Sequence, residues 1–261
     1  MQKRIRLKKQ ILPDREMFHR AILENRLTMK YQPIVRGDNL EIFKYEALLR
    51  LRNKHGEFDS PQYFLETINT DRERLILLLF VASEVTKAIS NLDDNTKIAM
   101  NISYYDIESD YMKNFLALLR ANPKEINTQL VIEIVETSKI TNPQKVQDIC
   151  KEITQMGIEL SLDDFGIEHS NLFALSHINF SFLKIDGHFT KNMRGEKISV
   201  IIKNTISLCK ELEIKIIAEY IEDIETFEEL RDLGVDLFQG FFLHMPRQGK
   251  HLPVPFNKLY Q

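Results

Sequence analysis

The sequence predicts an α/β protein built as one closed (β/α)8 barrel, TIM-like, with a single early strand running antiparallel to the rest. Three observations carry this expectation. Eight short β-type segments recur along 261 residues, a length close to the ~250 typical of one such barrel. Amphipathic helical patterns separate most of them. The first two segments are joined only by Arg36-Gly37-Asp38-Asn39, too short for a parallel crossover, so they form an antiparallel hairpin. An open doubly wound sheet is the alternative, and no GxGxxG or Walker A sequence follows the first strands to support it.

The elements follow in order. Residues 1–13 read as a basic tail or linker: Lys3, Arg4, Arg6, Lys8 and Lys9 crowd its start with no aromatic residue between them. The barrel domain then occupies 14–261. Residues 14–25 form a short amphipathic helix, with Met17, Phe18, Ala21 and Ile22 on one side. Strands are expected at 29–35 and 41–49. A helix over 71–90 carries Leu75, Leu78, Leu79, Ala82, Val85 and Ile89. Further strands fall near 97–103, 129–135, 159–163, 181–185, 214–218 and 236–238. Among the helices between them, 143–156 is bounded by Asn142 as N-cap, Pro143 in its first turn and Gly157 just past its end.

Composition narrows the function. Hydrophobic residues at 43% are enough for a substantial core and exclude a disordered chain. A net charge of −3 offers no general attraction for a nucleic-acid polymer. Cys150 and Cys209 lie on the apolar stripes of two helices, so buried free thiols and a reducing cytoplasm are expected. No apolar run approaches membrane-spanning length, and no signal peptide is visible. The seven histidines lack HExxH or paired-ligand spacing; His19 and His177 read as surface or packing residues.

What remains is a set of polar residues at successive strand ends, where a barrel assembles its site. In Tyr45-Glu46-Ala47-Leu48-Leu49-Arg50, the strand period puts Glu46, Leu48 and Arg50 on one face. A carboxylate and a guanidinium there suit a metal and a phosphate oxygen, or a structural ion pair. Asn101 closes Ile98-Ala99-Met100 as a ligand or a turn residue. Glu133 stands among Val131, Ile132, Ile134 and Val135, where an acid is costly unless paired or bound to metal. Asp163-Asp164 can direct carboxylates at two metals, Asp163 bridging them, or cap the next helix. Such hard oxygens favour Mg²⁺ or Mn²⁺ over Zn²⁺. Lys184, inside Phe182-Leu183-Lys184-Ile185-Asp186, needs a partner if buried, and beside metals it would orient a water. Glu219 and Glu222, then Gln239-Gly240, end the last strands as site residues or as surface acids and a turn.

Together these residues resemble the EAL-domain family of cyclic di-GMP phosphodiesterases. The similarity runs from Tyr31-Gln32-Pro33-Ile34 through Glu46-Ala47-Leu48-Leu49-Arg50, Asn101-Ile102-Ser103, Glu133-Ile134-Val135-Glu136 and Asp163-Asp164-Phe165-Gly166. It continues through Lys184-Ile185-Asp186 and Ala218-Glu219-Tyr220-Ile221-Glu222 to Gln239-Gly240-Phe241 and Pro246. The resemblance implies Glu46, Asn101, Glu133 and Asp163 on one divalent cation, and Asp163, Asp164 and Glu219 around a second. It implies Lys184 as the residue that activates water, supported by Asp186, Glu222 and Gln239, with Gln32 and Arg50 holding the nucleotide. The implied reaction is hydrolysis of cyclic di-GMP to linear pGpG by in-line attack of water activated by the metals. A homodimer is also implied, as is a sensory or GGDEF-type domain, fused or separate, as partner.

The chain departs from the family in places. Ile167-Glu168-His169-Ser170-Asn171 replaces the usual loop after Asp-Asp-Phe-Gly, with Glu168 where glycine is usual. A left-handed backbone there would cost about 1–3 kcal/mol. Tyr220 replaces a common glycine and Val135 a common threonine, whereas Glu136, the usual loop anchor, is retained. The altered loop opens a second expectation, a weak or inactive EAL domain that serves as a cyclic di-GMP receptor. A scaffold that binds no nucleotide would have no use for Gln32, Arg50 and the full ligand set.

Overall fold

A computed structural model of the chain describes residues 17–53, 56–59, 61–135, 139–166, 171–249 and 252. The basic segment 1–13, Glu136 and the altered run at 167–170 lie outside the described residues.

Helix α1 (Met17–Leu23) leads into β1 (Leu27–Arg36) and β2 (Ile42–Arg52). The short β3 (Phe58–Asp59) and α2 (Gln62–Leu65) precede α3 (Asp71–Ile89), which crosses to β4 (Lys97–Ser103). Helices α4 (Tyr104–Glu108), α5 (Met112–Ala121) and α6 (Lys124–Gln129) connect to β5 (Leu130–Val135). The alternation continues with α7 (Pro143–Gln155), β6 (Glu159–Phe165), α8 (Asn171–His177) and β7 (Phe182–Ile185). It ends with α9 (Gly187–Lys191), α10 (Glu196–Glu211), β8 (Lys215–Ala218), α11 (Ile224–Leu233), β9 (Leu237–Phe238) and β10 (Arg247–Gln248).

Strands β2, β4, β5, β6, β7, β8 and β9 pair in parallel in that order. The ring closes through β1, which is antiparallel to both β2 and β9. The short hairpin connection therefore identifies the reversed strand as the first. β3 and β10 add antiparallel pairs outside the ring.

Local signals set the helix ends. At α3, Thr70 and Glu73 form a capping box: Glu73 N–H donates to Thr70 Oγ1 at 3.2 Å, and Thr70 N–H to Glu73 Oε2 at 3.0 Å. At α7, Lys145 N–H donates to Asn142 Oδ1 at 3.1 Å, and Gly157 takes the left-handed turn with φ +85°.

Several boundaries differ from expectation, among them those of α1 and β2. Helix α1 stops at Leu23, and Asn25 turns the chain with φ 51°. β2 continues to Arg52, so Glu46 lies within the strand and not at its end. The reason is that β2 changes partners. Its pairing with β4 reaches only Ala47, after which it runs on against β1 and then β3. Glu46 thus stands at the rim of the barrel proper while its backbone remains bonded.

The core has two compartments. The larger lies between the sheet and the helices and holds the stripes of α3, α5, α7 and α10, including the buried thiols of Cys150 and Cys209. The smaller is a separate apolar cluster of Ile34, Ala99, Val131, Phe182, Ile217 and Leu237, one residue from each of six strands, which fills the barrel interior. This inner plug is the floor on which the polar residues stand.

Past β9, Gly240 packs against the backbone of Ile221: a β-carbon there would fall 2.1 Å from Ile221 O. We expect Gly240→Ala to destabilise the fold by about 1–3 kcal/mol. Urea unfolding measures this, and an unchanged midpoint would contradict the close approach.

Candidate functional site

Side chains two apart on a strand share a face, so the inner plug dictates what lies above it. One step toward the open end, Ala99 gives Asn101, Val131 gives Glu133, Phe182 gives Lys184, Ile217 gives Glu219 and Leu237 gives Gln239. On the reversed β1 the step runs backward, from Ile34 to Gln32. The remaining two strands supply Asp163 above Ser161 and Glu46 above Lys44. Register confirms the match across strands, with Gln32 opposite Glu46 and Asn101 opposite Glu133. Each barrel strand therefore places one polar residue in a single ring at the C-terminal end of the parallel strands, where barrel sites form.

At the centre of the ring is the Lys184 ammonium, only 1% exposed. It lies 2.7 Å from Glu219 Oε1, 3.2 Å from Asp163 Oδ1 and 3.3 Å from Glu46 Oε2, and it donates to Glu133 as well. Burial works against its charge, yet these four carboxylates hold its pKa well above that of an ordinary lysine. For the acids the balance varies. Burial also opposes the Glu46 carboxylate, but Lys184 and hydrogen bonds from Gln239 and Asn101 keep its pKa below the usual value. Gln239 Nε2 donates to Glu46 Oε2 at 2.7 Å, and Asn101 Nδ2 to Glu46 Oε1 at 3.1 Å. At Glu133, fully buried, burial wins over Lys184 and pushes the pKa up to about 8. Burial raises Asp163 and Glu219 too. One ammonium cannot neutralise four acids.

Asp164 is set by a kink. The β6–β7 register slips between Leu162 and Phe165, and Asp164 takes a left-handed φ of 52°, costly for a non-glycine residue. Its N–H donates to Asp163 Oδ1 at 3.0 Å. The kink brings Asp164 to the cleft, where Asp163, Asp164 and Glu219 each offer an oxygen within 4.8 Å of the others. Burial and the neighbouring Asp163 raise the Asp164 pKa to about 6.

Above the ring opens a cleft of about 300 Å³ whose walls include Arg50, Asp186, Glu222 and Gln239. Gln32 bridges ring and wall: its Nε2 donates to the His244 carbonyl at 3.2 Å, and its Oε1 accepts from Gln239 at 3.3 Å. Asp186 also caps α9, accepting from His188 N–H at 2.6 Å. A second cavity of about 450 Å³, more apolar, lies beside the first and shares Leu48 and Arg50 with it. All the ring and cleft residues expected from the sequence thus come together; Glu136 alone falls outside the described residues.

One residue of the site escaped the sequence reading. Lys44 is 0% exposed, one step below Glu46, with its Nζ 4.1 Å from the centre of the Phe182 ring. Burial pulls its pKa down to about 8 against the attraction of Glu133. The signal was the strand period itself: extended backward, the face of Glu46, Leu48 and Arg50 includes position 44. The histidines behave as expected, His19 beside Glu73 at 3.3 Å and His177 stacked on Phe173.

The donor set fits divalent cations that prefer oxygen. Its atoms are carboxylate and amide oxygens, and the buried acceptors Asn101 Oδ1, Glu133 Oε2 and Gln239 Oε1 have no hydrogen-bond partner among the described residues. Two outcomes follow. Lys184→Met, which leaves the four acids without their cation, should cost about 3–5 kcal/mol in urea unfolding without divalent metal, with Mn²⁺ restoring part of it. An unchanged midpoint would contradict the central role of the ammonium.

The second outcome is pH dependence. Glu133 and Asp164 have folded pKa values, about 8 and about 6, above their ordinary ones. Their contribution to metal-free stability is therefore complete below the ordinary carboxylate range and is lost as pH rises through those values. A cation on the same oxygens must displace the protons, so Mn²⁺ affinity should rise across this window with proton release. Calorimetry in buffers of different ionisation enthalpy checks this, and an affinity flat from pH 6 to 8 would contradict it.

Comparison with known proteins agrees with this geometry. The EAL domain model matches residues 15–246. Over 237 residues the chain is 29% identical to the cyclic di-GMP phosphodiesterase PdeB of Shewanella oneidensis, covering 87% of this chain but only 27% of that protein's length. Among solved structures, an EAL domain protein from Listeria monocytogenes is 29% identical with a TM-score of 0.81, covering 90% of this chain and 94% of that one. The phosphodiesterase PaMucR, solved in complex with c-di-GMP, is 27% identical with a TM-score of 0.78, covering 90% and 97%. With the family model matched over residues 15–246, the chain belongs to the EAL domain family.

Proposed function

We propose that the protein is a metal-dependent phosphodiesterase that hydrolyses cyclic di-GMP to linear pGpG. The observation that carries this reading is the ring, in which four buried carboxylates share one ammonium, several acceptor oxygens have no partner among the described residues and a nucleotide-sized cleft opens above. Glu46, Asn101, Glu133 and Asp163 would hold one Mg²⁺ or Mn²⁺; Asp163, Asp164 and Glu219 would hold a second. Bound there, such cations lower the pKa of water and offset charge on the attacked phosphate.

The chain's own residues do the rest. Arg50, half-buried where both cavities meet, offers a guanidinium to a phosphate oxygen. Gln32 and Gln239, bonded to each other and to Glu46, orient the nucleotide and hold the Glu46 carboxylate in place. Lys184 keeps the carboxylates together and, with cations present, has a proton donor to turn toward the attacking water. Asp186 and Glu222 line the cleft wall on the side of Asp164 and Glu219 and accept hydrogen bonds from water. Two adjoining cavities around one arginine suit a ligand with two bases and a central phosphate ring.

The same support extends to the partners. The similar PaMucR structure holds c-di-GMP. A homodimer and a sensory or GGDEF-type domain belong to the proposal, as does a cytoplasmic location, in keeping with two buried free thiols. Among the described residues no helix is long and apolar enough to cross a membrane. The receptor reading rests on Glu168 in the altered loop and predicts binding without turnover.

Purified protein incubated with cyclic di-GMP and Mn²⁺ or Mg²⁺ should release pGpG, resolved by chromatography. Lys184→Ala should slow release by about 10²–10⁴-fold. Glu46→Ala should slow it by more than the ~10–100-fold expected for an outer partner of a metal ligand. Unchanged turnover in both variants would refute the reading, whereas tight binding without product would favour the receptor.

A further inference from the structure

Tyr220, like Asp164, lines the cleft from a backbone position that resists a side chain. It follows Glu219 with φ 54°, a conformation natural to glycine and strained for tyrosine. Hydrogen bonds on both sides impose that turn: Glu219 N–H donates to Ile185 O at 3.2 Å, Gln239 N–H to Ala218 O at 2.9 Å, and Ile221 N–H to Gln239 O at 3.1 Å. Strain retained at a pinned position in a cleft calls for a function of the side chain.

The ring is held firmly on one side. Gly187 and Lys191 stand one turn apart on α9, hence on one face of that helix. A β-carbon at Gly187 would come within 2.1 Å of the tyrosine ring, so only glycine allows the ring to lie there. The Lys191 ammonium sits 4.3 Å from the ring centre and 3.9 Å from Glu222. Yet Tyr220 remains 52% exposed and forms part of the cleft wall, together with Phe241 at 60%. One side of the ring is packed on α9, and the rest is turned to the cleft.

We propose that Tyr220 is a base-stacking platform, with Gly187 and Lys191 as its support, that takes one purine of the bound dinucleotide. This rests on the cyclic di-GMP reading above and adds to it a specificity-determining residue. A ring backed by a cation is drawn toward an electron-rich base on its free face, and guanine has the most electron-rich π-system of the common bases. A leucine or valine in its place would cover similar area without that preference.

The chain contains no tryptophan, so Tyr220→Trp places a single indole at the platform, which can be excited selectively over the remaining tyrosines. A guanine stacked on indole quenches its emission by electron transfer. With Ca²⁺ present, cyclic di-GMP should quench this variant. By calorimetry, Tyr220→Gly should bind about 5–150-fold more weakly than the unaltered protein, the range that base stacking supplies, and Tyr220→Phe should restore the affinity. Because glycine relaxes the backbone at φ 54°, weakened binding in Tyr220→Gly is not a folding defect; urea unfolding confirms this if its midpoint is unchanged or raised.

Cyclic di-GMP binding by Tyr220→Trp without indole quenching, or a Tyr220→Gly variant that binds as tightly or more tightly, would overturn the platform while leaving the cyclic di-GMP reading intact. Quenching by GMP or pGpG, with no binding of cyclic di-GMP to the unaltered protein, would uphold the platform and remove the cyclic substrate. No quenching by any of these nucleotides would overturn the platform outright.

Discussion

A single ammonium buried among four carboxylates is the interaction on which the interior of this barrel depends. Taking Lys184 and its partners out of water costs several kcal/mol per ion unless their attraction and hydrogen bonds offset it. The ring meets that demand incompletely. Glu46 is well satisfied by Lys184, Gln239 and Asn101, whereas Glu133 is driven toward its protonated form and keeps one oxygen without a partner among the described residues. Without further cations the site is electrostatically frustrated, and the frustration points to what it binds.

The fold makes this concentration of charge tolerable by separating the problem from the rest of the core. The helices and the outer sheet face bury ordinary apolar side chains. Inside, a compact apolar plug supports the ring from below, and the strand period lifts one polar residue from each strand to the same level. Because every strand contributes, small errors of register would scatter the polar ring. The antiparallel β1, bonded along nearly its whole length to β2 and again to β9, fixes the closure of the ring.

Much of this was legible in the sequence because its causes are local. Period-two runs ending in Asn101, Glu133, Asp163, Lys184 and Glu219 are unusual in having ionisable or amide groups amid β-branched residues, and the short link after Arg36 identified the reversed strand. The rest depends on partners distant in the chain. The continuation of β2 past Ala47 is set by its pairing with β1 and β3, which no single segment reveals. Lys44 went unread in Ile42-Phe43-Lys44-Tyr45: the strand period puts it on the face of Glu46, and the fold that brings it beside Phe182 buries it. The strained turns at Asp164 and Tyr220 likewise follow from the slipped β6–β7 register and from bonds to Ile185 and Gln239.

The most direct test of the central claim is the anomalous scattering of Mn²⁺ in crystals of the protein with cyclic di-GMP. The account predicts two peaks, one bounded by Glu46, Asn101, Glu133 and Asp163 and the other by Asp163, Asp164 and Glu219, with the Lys184 ammonium displaced from the centre of the ring. A map without peaks at these oxygens, and with Lys184 still bonded to all four carboxylates, would show that the ring is a closed structural ion cluster and not a metal site.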